Sequence, residues 1–312
     1  MLEKTKEYDY SKIFSIVSCW NISLDKIFQD MQIEGSPERS DFRTVISDKA
    51  GKLYVLEKLK PDSFNKRKSI AEYLKYFFEC GVRVIPFIQN SQGDFISNFE
   101  DDYWMISAFK YNKLLDRNNY WKEGWRGKNT AEVLCNLYRA SDKINIAEPL
   151  FLLEDYVFNL KSVIKYYFPE LHNELIPIYE HLENEFWDAY KVFPRGFCHG
   201  DPHPLNILWS DDQIIALIDW EFSGIKPRLY DIALVIGCVG SESKKSLNAE
   251  FCNAFKKEMK EQSFIDRVAE KYLKQFMTAI RFGWLSEWLR RNDEEMIRFE
   301  IMYMSHILEL EN

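Results

Sequence analysis

Two short apolar runs, 42–47 and 53–59, flank the polar, glycine-containing segment Asp48-Lys49-Ala50-Gly51-Lys52, a pattern that predicts an antiparallel β-hairpin. The period then lengthens. Ile70, Leu74, Phe77 and Phe78 recur at helical intervals and Gly81 ends the run, which predicts a helix over about 63–80. Further apolar runs at 82–88, 94–98 and 104–109 read as strands that complete a small sheet. Beyond 110 the helical period dominates, over 129–143, 149–168, 170–191, 230–239, 245–262, 264–291 and 293–310. It is interrupted by a glycine- and proline-rich turn entered from 196–199, and by a predicted hairpin of 205–209 and 214–218 around Ser210-Asp211-Asp212-Gln213. The expected fold class is α+β, with a small antiparallel-sheet unit over 1–109 and a larger, mainly helical one over 110–312.

Composition agrees with two cores. The chain has 312 residues, 46% of them hydrophobic and 16% aromatic, more than one compact core usually holds. A net charge of -8 disfavours nucleic-acid binding, which relies on Lys and Arg at phosphates, and leaves cationic or neutral small molecules as partners. No run of about 18 apolar residues predicts a membrane span, and the charged stretch 1–10 does not read as a signal peptide, so a cytoplasmic protein is expected. The six cysteines lack Cys-x-x-Cys spacing, as expected of reduced thiols. The pattern does not specify an oligomeric state.

The candidate chemistry lies in Phe197-Cys198-His199-Gly200-Asp201-Pro202-His203-Pro204-Leu205-Asn206-Ile207-Leu208 and, after the turn, Leu217-Ile218-Asp219-Trp220-Glu221. A hairpin brings the start of its first strand beside the end of its second, so Asn206 and Asp219 are expected close enough to share a cation. Their oxygen atoms suit Mg²⁺, a small hard ion held by one or two carboxylates or amides together with phosphate oxygens. Asp201 is then placed to accept the proton of a substrate hydroxyl. This set is what phosphoryl transfer from a magnesium nucleotide requires, because the protein's task there is to position reactants and neutralise spreading charge. His199 is expected to brace the backbone, whereas His203 either approaches a phosphate or substrate group or bonds within the loop. A transition-metal site built on His199, Asp201 and His203 fares worse: only five histidines occur, and Pro202 and Pro204 break a regular strand.

The pattern His-Gly-Asp-x-x-x-x-Asn followed by Ile-Asp-Trp-Glu resembles the aminoglycoside phosphotransferase and choline kinase superfamily, protein-kinase-like enzymes that phosphorylate small molecules. The resemblance implies a protein-kinase-like two-lobed fold, ATP with GTP as an alternative donor, Mg²⁺, Asp201 as catalytic base, and Asn206 and Asp219 as metal ligands. It also extends to Pro227-Arg228-Leu229-Tyr230-Asp231, where Asp231 would brace the catalytic loop.

Two departures concern the nucleotide lobe. The segment where relatives carry a phosphate loop, 33–43, has one glycine, so contact would rest on Ser36, Arg39, Ser40 and backbone N–H groups. Where relatives tend to show Tyr-Val-Leu-Lys, this chain reads Tyr54-Val55-Leu56-Glu57-Lys58. Strand side chains alternate faces, so either Lys58 points inward with Glu72 as partner, the orientation expected here, or Glu57 does, with Arg67 or Lys68 completing a pair of reversed polarity. The lobe linker follows Phe109, whose neighbourhood would hold the adenine. For the acceptor, the resemblance points to Glu221, Trp284, Glu287 and Trp288 beside His203, an aromatic and acidic set suited to an amine. Trp284 and Trp288, at i and i+4, fit a helix core equally. The expected activity is phosphorylation of a hydroxyl on an amino alcohol, aminosugar or similar metabolite. A catalytically silent module of the same fold and a nucleotidyl transferase are the alternatives.

Overall fold

Asp9 opens the first helix, α1 (Tyr10–Ser18), its carboxylate accepting the Lys12 N–H at 2.7 Å. The computed structural model describes residues 9–36, 40–144, 151–184 and 186–309. Helix α1 carries Ile13, Ile16 and Val17 on one face and buries them, together with Trp20, against Ile46, Tyr54, Leu56, Trp104 and Ile106 of a five-stranded sheet. The strands are β1 (Leu24–Phe28), β2 (Ser40–Asp48), β3 (Leu53–Leu59), β4 (Ser97–Phe99) and β5 (Asp102–Ala108), antiparallel in the order β1-β2-β3-β5-β4. The predicted hairpin is β2–β3, in register from Ser47↔Leu53 to Ser40↔Leu59. On the other face of the sheet, Leu59 and Met105 bury with Ala71 of helix α2 (Phe64–Glu79). The sequence pattern did not single out α1 or β1.

The run 82–88 does not form the expected strand. Only isolated bridges occur there, Val84↔Leu217 and Phe87↔Ser107. Pro86 lacks an N–H to donate, and the Val84 N–H turns back to the Val82 carbonyl at 2.9 Å, so no continuous ladder can develop.

The described residues of Met1–Leu114 and Leu205–Glu221 form one unit, and those of Leu115–Pro204 and Phe222–Asn312 a second. The first unit therefore takes in, besides its sheet and two helices, the hairpin of β7 (Ile207–Trp209) and β8 (Ile214–Leu217). The second holds the two-stranded pair of β6 (Arg195–Cys198) and β9 (Gly224–Pro227) and eight helices among its described residues: α3 (Gly124–Ser141), α4 (Leu153–Tyr167), α5 (Pro169–Glu183), α6 (Phe186–Val192), α7 (Leu229–Gly240), α8 (Glu250–Glu261), α9 (Arg267–Arg291) and α10 (Glu294–Glu309). Helix α7 is buried along nearly its whole length, which is why it reads as an apolar run of high helical content with Asp231 as its one acid. The single helix expected over 170–191 is two, α5 and α6, and the one expected over 245–262 starts only at Glu250, after a 3₁₀ turn at Ser246–Asn248. The expected start at 149 and the expected end at 310 lie outside the described residues.

Candidate active site

In the second unit, strand β6 pairs with β9 in register Cys198↔Gly224 and delivers the chain into a tight turn at Gly200. Gly200 has φ +84°, and a Cβ there would collide with the Phe222 carbonyl, so only glycine fits. The turn is anchored from below by Asp231, in the first turn of α7. Its carboxylate is fully buried and accepts the backbone N–H groups of His199 at 2.7 Å and Gly200 at 2.8 Å. Burial pushes the Asp231 pKa up to about 6, against the opposing pull of the Gly200 N–H, the Lys226 charge and the His199 N–H. His199, also fully buried, accepts the Asp201 N–H at Nδ1 (3.2 Å), which leaves the neutral ring's proton on Nε2. Three backbone N–H bonds thus tie the turn from His199 to Asp201 to the side chains of Asp231 and His199.

Asp201 and His203 line a cavity of about 420 Å³ in the second unit, with the His203 Nε2 3.6 Å from Asp201 Oδ2. Its walls are aromatic, from Phe151, Tyr156, Phe222, Tyr230 and Trp284, and its other acid is Glu287. Arg290 and Arg291 both donate to Glu287 and hold its pKa down, to about 2. Trp284 is packed by the Arg281 guanidinium 4.5 Å from its ring.

In the first unit, Ile207↔Leu217 pairing closes the β7–β8 hairpin, and the Ile218 N–H donates to the Asn206 carbonyl at 2.9 Å. Asn206, buried at the end of a 3₁₀ turn, and Asp219, one residue past Ile218, therefore sit at the same end of one hairpin. Asp219 has φ +68°, a left-handed conformation that side chains other than glycine seldom adopt and that recurs at functional sites. No sequence signal announces it. The donor set, one carboxylate and one amide, is of the hard oxygen type that fits Mg²⁺. Among the described residues no three His, Cys, Asp or Glu side chains converge as a metal-ligating group.

A second cavity, of about 130 Å³, lies within this unit, bounded by Ile33, Glu34, Gly35 and Ser36, by Val55 and Glu57 of β3, by Arg67, Ile70 and Leu74 of α2, by 107–110, and by Leu208 and 217–220. It combines an apolar slot with Asp219. Ser36 and Phe109 line it; the Ser36 N–H donates to Asp219 Oδ2 at 3.3 Å, while the Phe109 N–H is engaged by the Leu53 carbonyl at 3.1 Å. Ser40 opens β2 opposite Leu59 and is not part of the cavity lining, and Arg39 lies outside the described residues.

Four expected residues are placed elsewhere. Glu57, not Lys58, faces the cavity: Val55 and Glu57 share the face toward α2, whereas Tyr54 and Leu56 are drawn into the core under α1 and Lys58 follows them by alternation. Lys58 pairs with Asp102 at 2.8 Å and Glu72 is exposed on α2. Glu221 lies in the first unit, bonded to Arg67 at 3.0 Å, and does not line the aromatic cavity. Trp288 is absent from that lining as well; its indole donates to Glu300 at 3.3 Å. The residues missed from sequence are Phe151, Tyr156, Phe222 and Tyr230 of the aromatic wall, and Arg43, whose Nε lies 2.9 Å from Glu57 Oε1. Single aromatics scattered through helices carry no positional signal.

Residues 124–264 match the phosphotransferase enzyme family. Protein LicA of Haemophilus influenzae is 29% identical over 154 residues, 46% of this chain and 54% of that protein, so the matched part spans about half the length of that relative. Among solved structures, amicoumacin kinase hAmiN in complex with AMP-PNP and Ca²⁺ superposes with a TM-score of 0.67 at 13% identity, over 98% of this chain and 96% of that one. The GDP complex of aminoglycoside 2'-phosphotransferase-IIIa gives 0.64 at 16% identity, over 95% and 96%. Choline kinase LicA from Streptococcus pneumoniae gives 0.59 at 13% identity, over 95% and 96%. By sequence, residues 124–264 resemble the phosphotransferase enzyme family, and by fold the chain resembles these solved kinases along nearly its whole length.

Proposed function

We propose that the chain is a small-molecule kinase that transfers the terminal phosphoryl group of a magnesium nucleotide, ATP in the first instance, to a hydroxyl of a small amine-bearing acceptor. One observation carries this reading: a single continuous segment holds Asp201 in an aromatic cavity and, five residues on, Asn206 at the hairpin end that also carries Asp219. In this reading the first unit takes the nucleotide, with the apolar slot beside Phe109 for the base and Gly35 and Ser36 toward the phosphates. Asn206 and Asp219 would hold Mg²⁺, which supplies charge neutralisation at phosphate oxygens. The second unit takes the acceptor. Asp201 accepts the hydroxyl proton, held in place through His199 and Asp231, and His203 steadies the Asp201 carboxylate.

The amine follows from the wall of the aromatic cavity. Ring faces attract cations, and Asp201 supplies the charge, since Glu287 is neutralised by its two arginines and Trp284 already carries one. Choline and aminoglycosides, named for two of the structural relatives, both combine a hydroxyl with a cationic nitrogen.

The test is calorimetric titration of ATP and GTP, with and without Mg²⁺, into wild type and Asp219→Asn, followed by transfer from ATP labelled at the α or γ position to a panel of amino alcohols and aminosugars. Expected are magnesium-dependent binding lost in Asp219→Asn, γ-label on an amine-bearing acceptor, and a loss of about 10²–10⁴-fold in transfer by Asp201→Asn with nucleotide binding retained. α-Label on the acceptor would mean nucleotidyl transfer. Magnesium-dependent binding without transfer to any acceptor would mean a silent module, and no binding at all would overturn the reading.

A further inference from the structure

The cavity of the first unit holds a carboxylate where the resemblance leads one to expect a lysine, and the cation comes from the opposite wall. Glu57 on β3 is buried, with Arg67 Nη2 of α2 at 2.5 Å and Arg43 Nε of β2 at 2.9 Å. Arg67 in turn gives its Nη1 to Glu221 Oε1 at 3.0 Å. Glu221 lies two residues beyond Asp219, and Lys66 approaches its other oxygen at 3.8 Å. A guanidinium is therefore held from two sides, by a carboxylate on the sheet and a carboxylate on the Asp219 segment, while it lines the same cavity as Gly35, Ser36 and Asp219.

Two further facts distinguish Arg67 from an ordinary structural ion pair. It is 8% exposed yet its Nε has no hydrogen-bond partner among the described residues, an orphan donor in a cavity wall. Its charge is also opposed on two sides: Glu57, shared with Arg43, and Glu221, shared with Lys66, fix the cation in orientation.

We propose that Arg67 is the phosphate-binding cation of this cavity, supplied by helix α2 and oriented by Glu57 and Glu221, so that strand and helix exchange the charges expected from the resemblance. A guanidinium suits that task because its planar fork can meet phosphate oxygens while other N–H groups remain on their carboxylates. The same residue ties β3 to the segment bearing Asp219, so nucleotide contact and placement of the metal ligand depend on one side chain. The inference rests on the nucleotide reading above.

The test compares ATP with adenosine, since only ATP carries phosphate. In calorimetry with Mg²⁺, Arg67→Gln is expected to weaken ATP by about tenfold or more and to leave adenosine unchanged, with Arg67→Lys in between. Because Arg67→Gln leaves Glu57 only Arg43 and Glu221 only the more distant Lys66, the triple variant Glu57→Gln, Arg67→Gln, Glu221→Gln is measured beside it, with thermal melting as a check of folding, and is expected to show the same selective loss. Independently of any variant's stability, ¹⁵N-arginine spectra of the wild type should show the Arg67 Nε–H signal, assigned through Arg67→Lys, shifting with ATP and not with adenosine. A folded triple variant that binds ATP like wild type, or a signal blind to ATP while ATP binds, would overturn the inference and leave the nucleotide reading standing. A wild type that binds neither ligand would overturn both.

Discussion

The backbone N–H of Ser36 donates to Oδ2 of Asp219 at 3.3 Å, across 183 positions of chain. The contact is made by backbone, and Gly35 allows it by adopting φ +88°. The hydroxyl of Ser36 is therefore dispensable: Ser36→Ala should keep nucleotide affinity within about twofold. Gly35→Val forces a β-branched residue into the left-handed region, at a cost of about 1–3 kcal/mol, and should weaken nucleotide binding about tenfold. Titration calorimetry on both variants checks this, and equal effects would contradict it.

Asp231 couples stability to pH in an unusual direction. Its carboxyl is raised from 3.8 to about 6 by burial, so its contribution to stability is complete below the unfolded pKa and is lost as pH rises through about 6. Asp231→Asn does not titrate; it also loses one backbone N–H bond and sets an amide donor against another, a cost of about 1–3 kcal/mol. Relative to that variant the wild type should gain stability as pH falls from about 7 to about 4. Urea unfolding of both proteins across that range is the measurement, and a pH-independent difference would refute the assignment.

Trp284 and Trp288 stand one helical turn apart on α9 yet do different work. Trp284 lines the aromatic cavity, so Trp284→Ala should raise the acceptor KM without changing the KM for ATP. Trp288 instead bonds Glu300, so Trp288→Phe should cost about 1 kcal/mol of stability and leave the acceptor KM untouched. Steady-state kinetics and thermal melting of the two variants separate these outcomes.

Glu300 is fully buried and receives the Arg281 guanidinium through Nε at 2.7 Å and through Nη2, joining α10 to α9. Removing one partner strands the other charge, so Glu300→Ala should destabilise by about 3–5 kcal/mol. The apolar replacement of both, Arg281→Met with Glu300→Leu, should recover most of that loss. Denaturant midpoints on the two variants test it; an equal or larger loss in the double variant would show that the pair stabilises in its own right.

What could be read without a structure was whatever is local in the chain. The β2–β3 hairpin, helix α2, most helices of the second unit and the β7–β8 hairpin follow from period and turn residues, because hydrophobic spacing and glycine placement act over a few residues. The run 82–88 was misread because apolar composition says nothing about whether ladder partners exist, and Pro86 removes a donor where one was needed. Helix α1 and strand β1 went unnoticed because both are short and owe their burial to a sheet assembled from later residues.

For the candidate site the division has the same origin. The order of Asp201, Asn206 and Asp219 along the chain, with the turn and hairpin between them, determined which residues carry the candidate chemistry. Tertiary structure decided which way β3 faces, since the burial of Tyr54 and Leu56 under α1 turns Glu57 toward α2 and Lys58 away from it. It also decided that Glu221 serves Arg67, and that Trp284 but not Trp288 lines the aromatic cavity. A strand's period fixes only that neighbours face opposite ways. Which face looks into the cavity depends on what packs against each, and those partners come from distant parts of the chain.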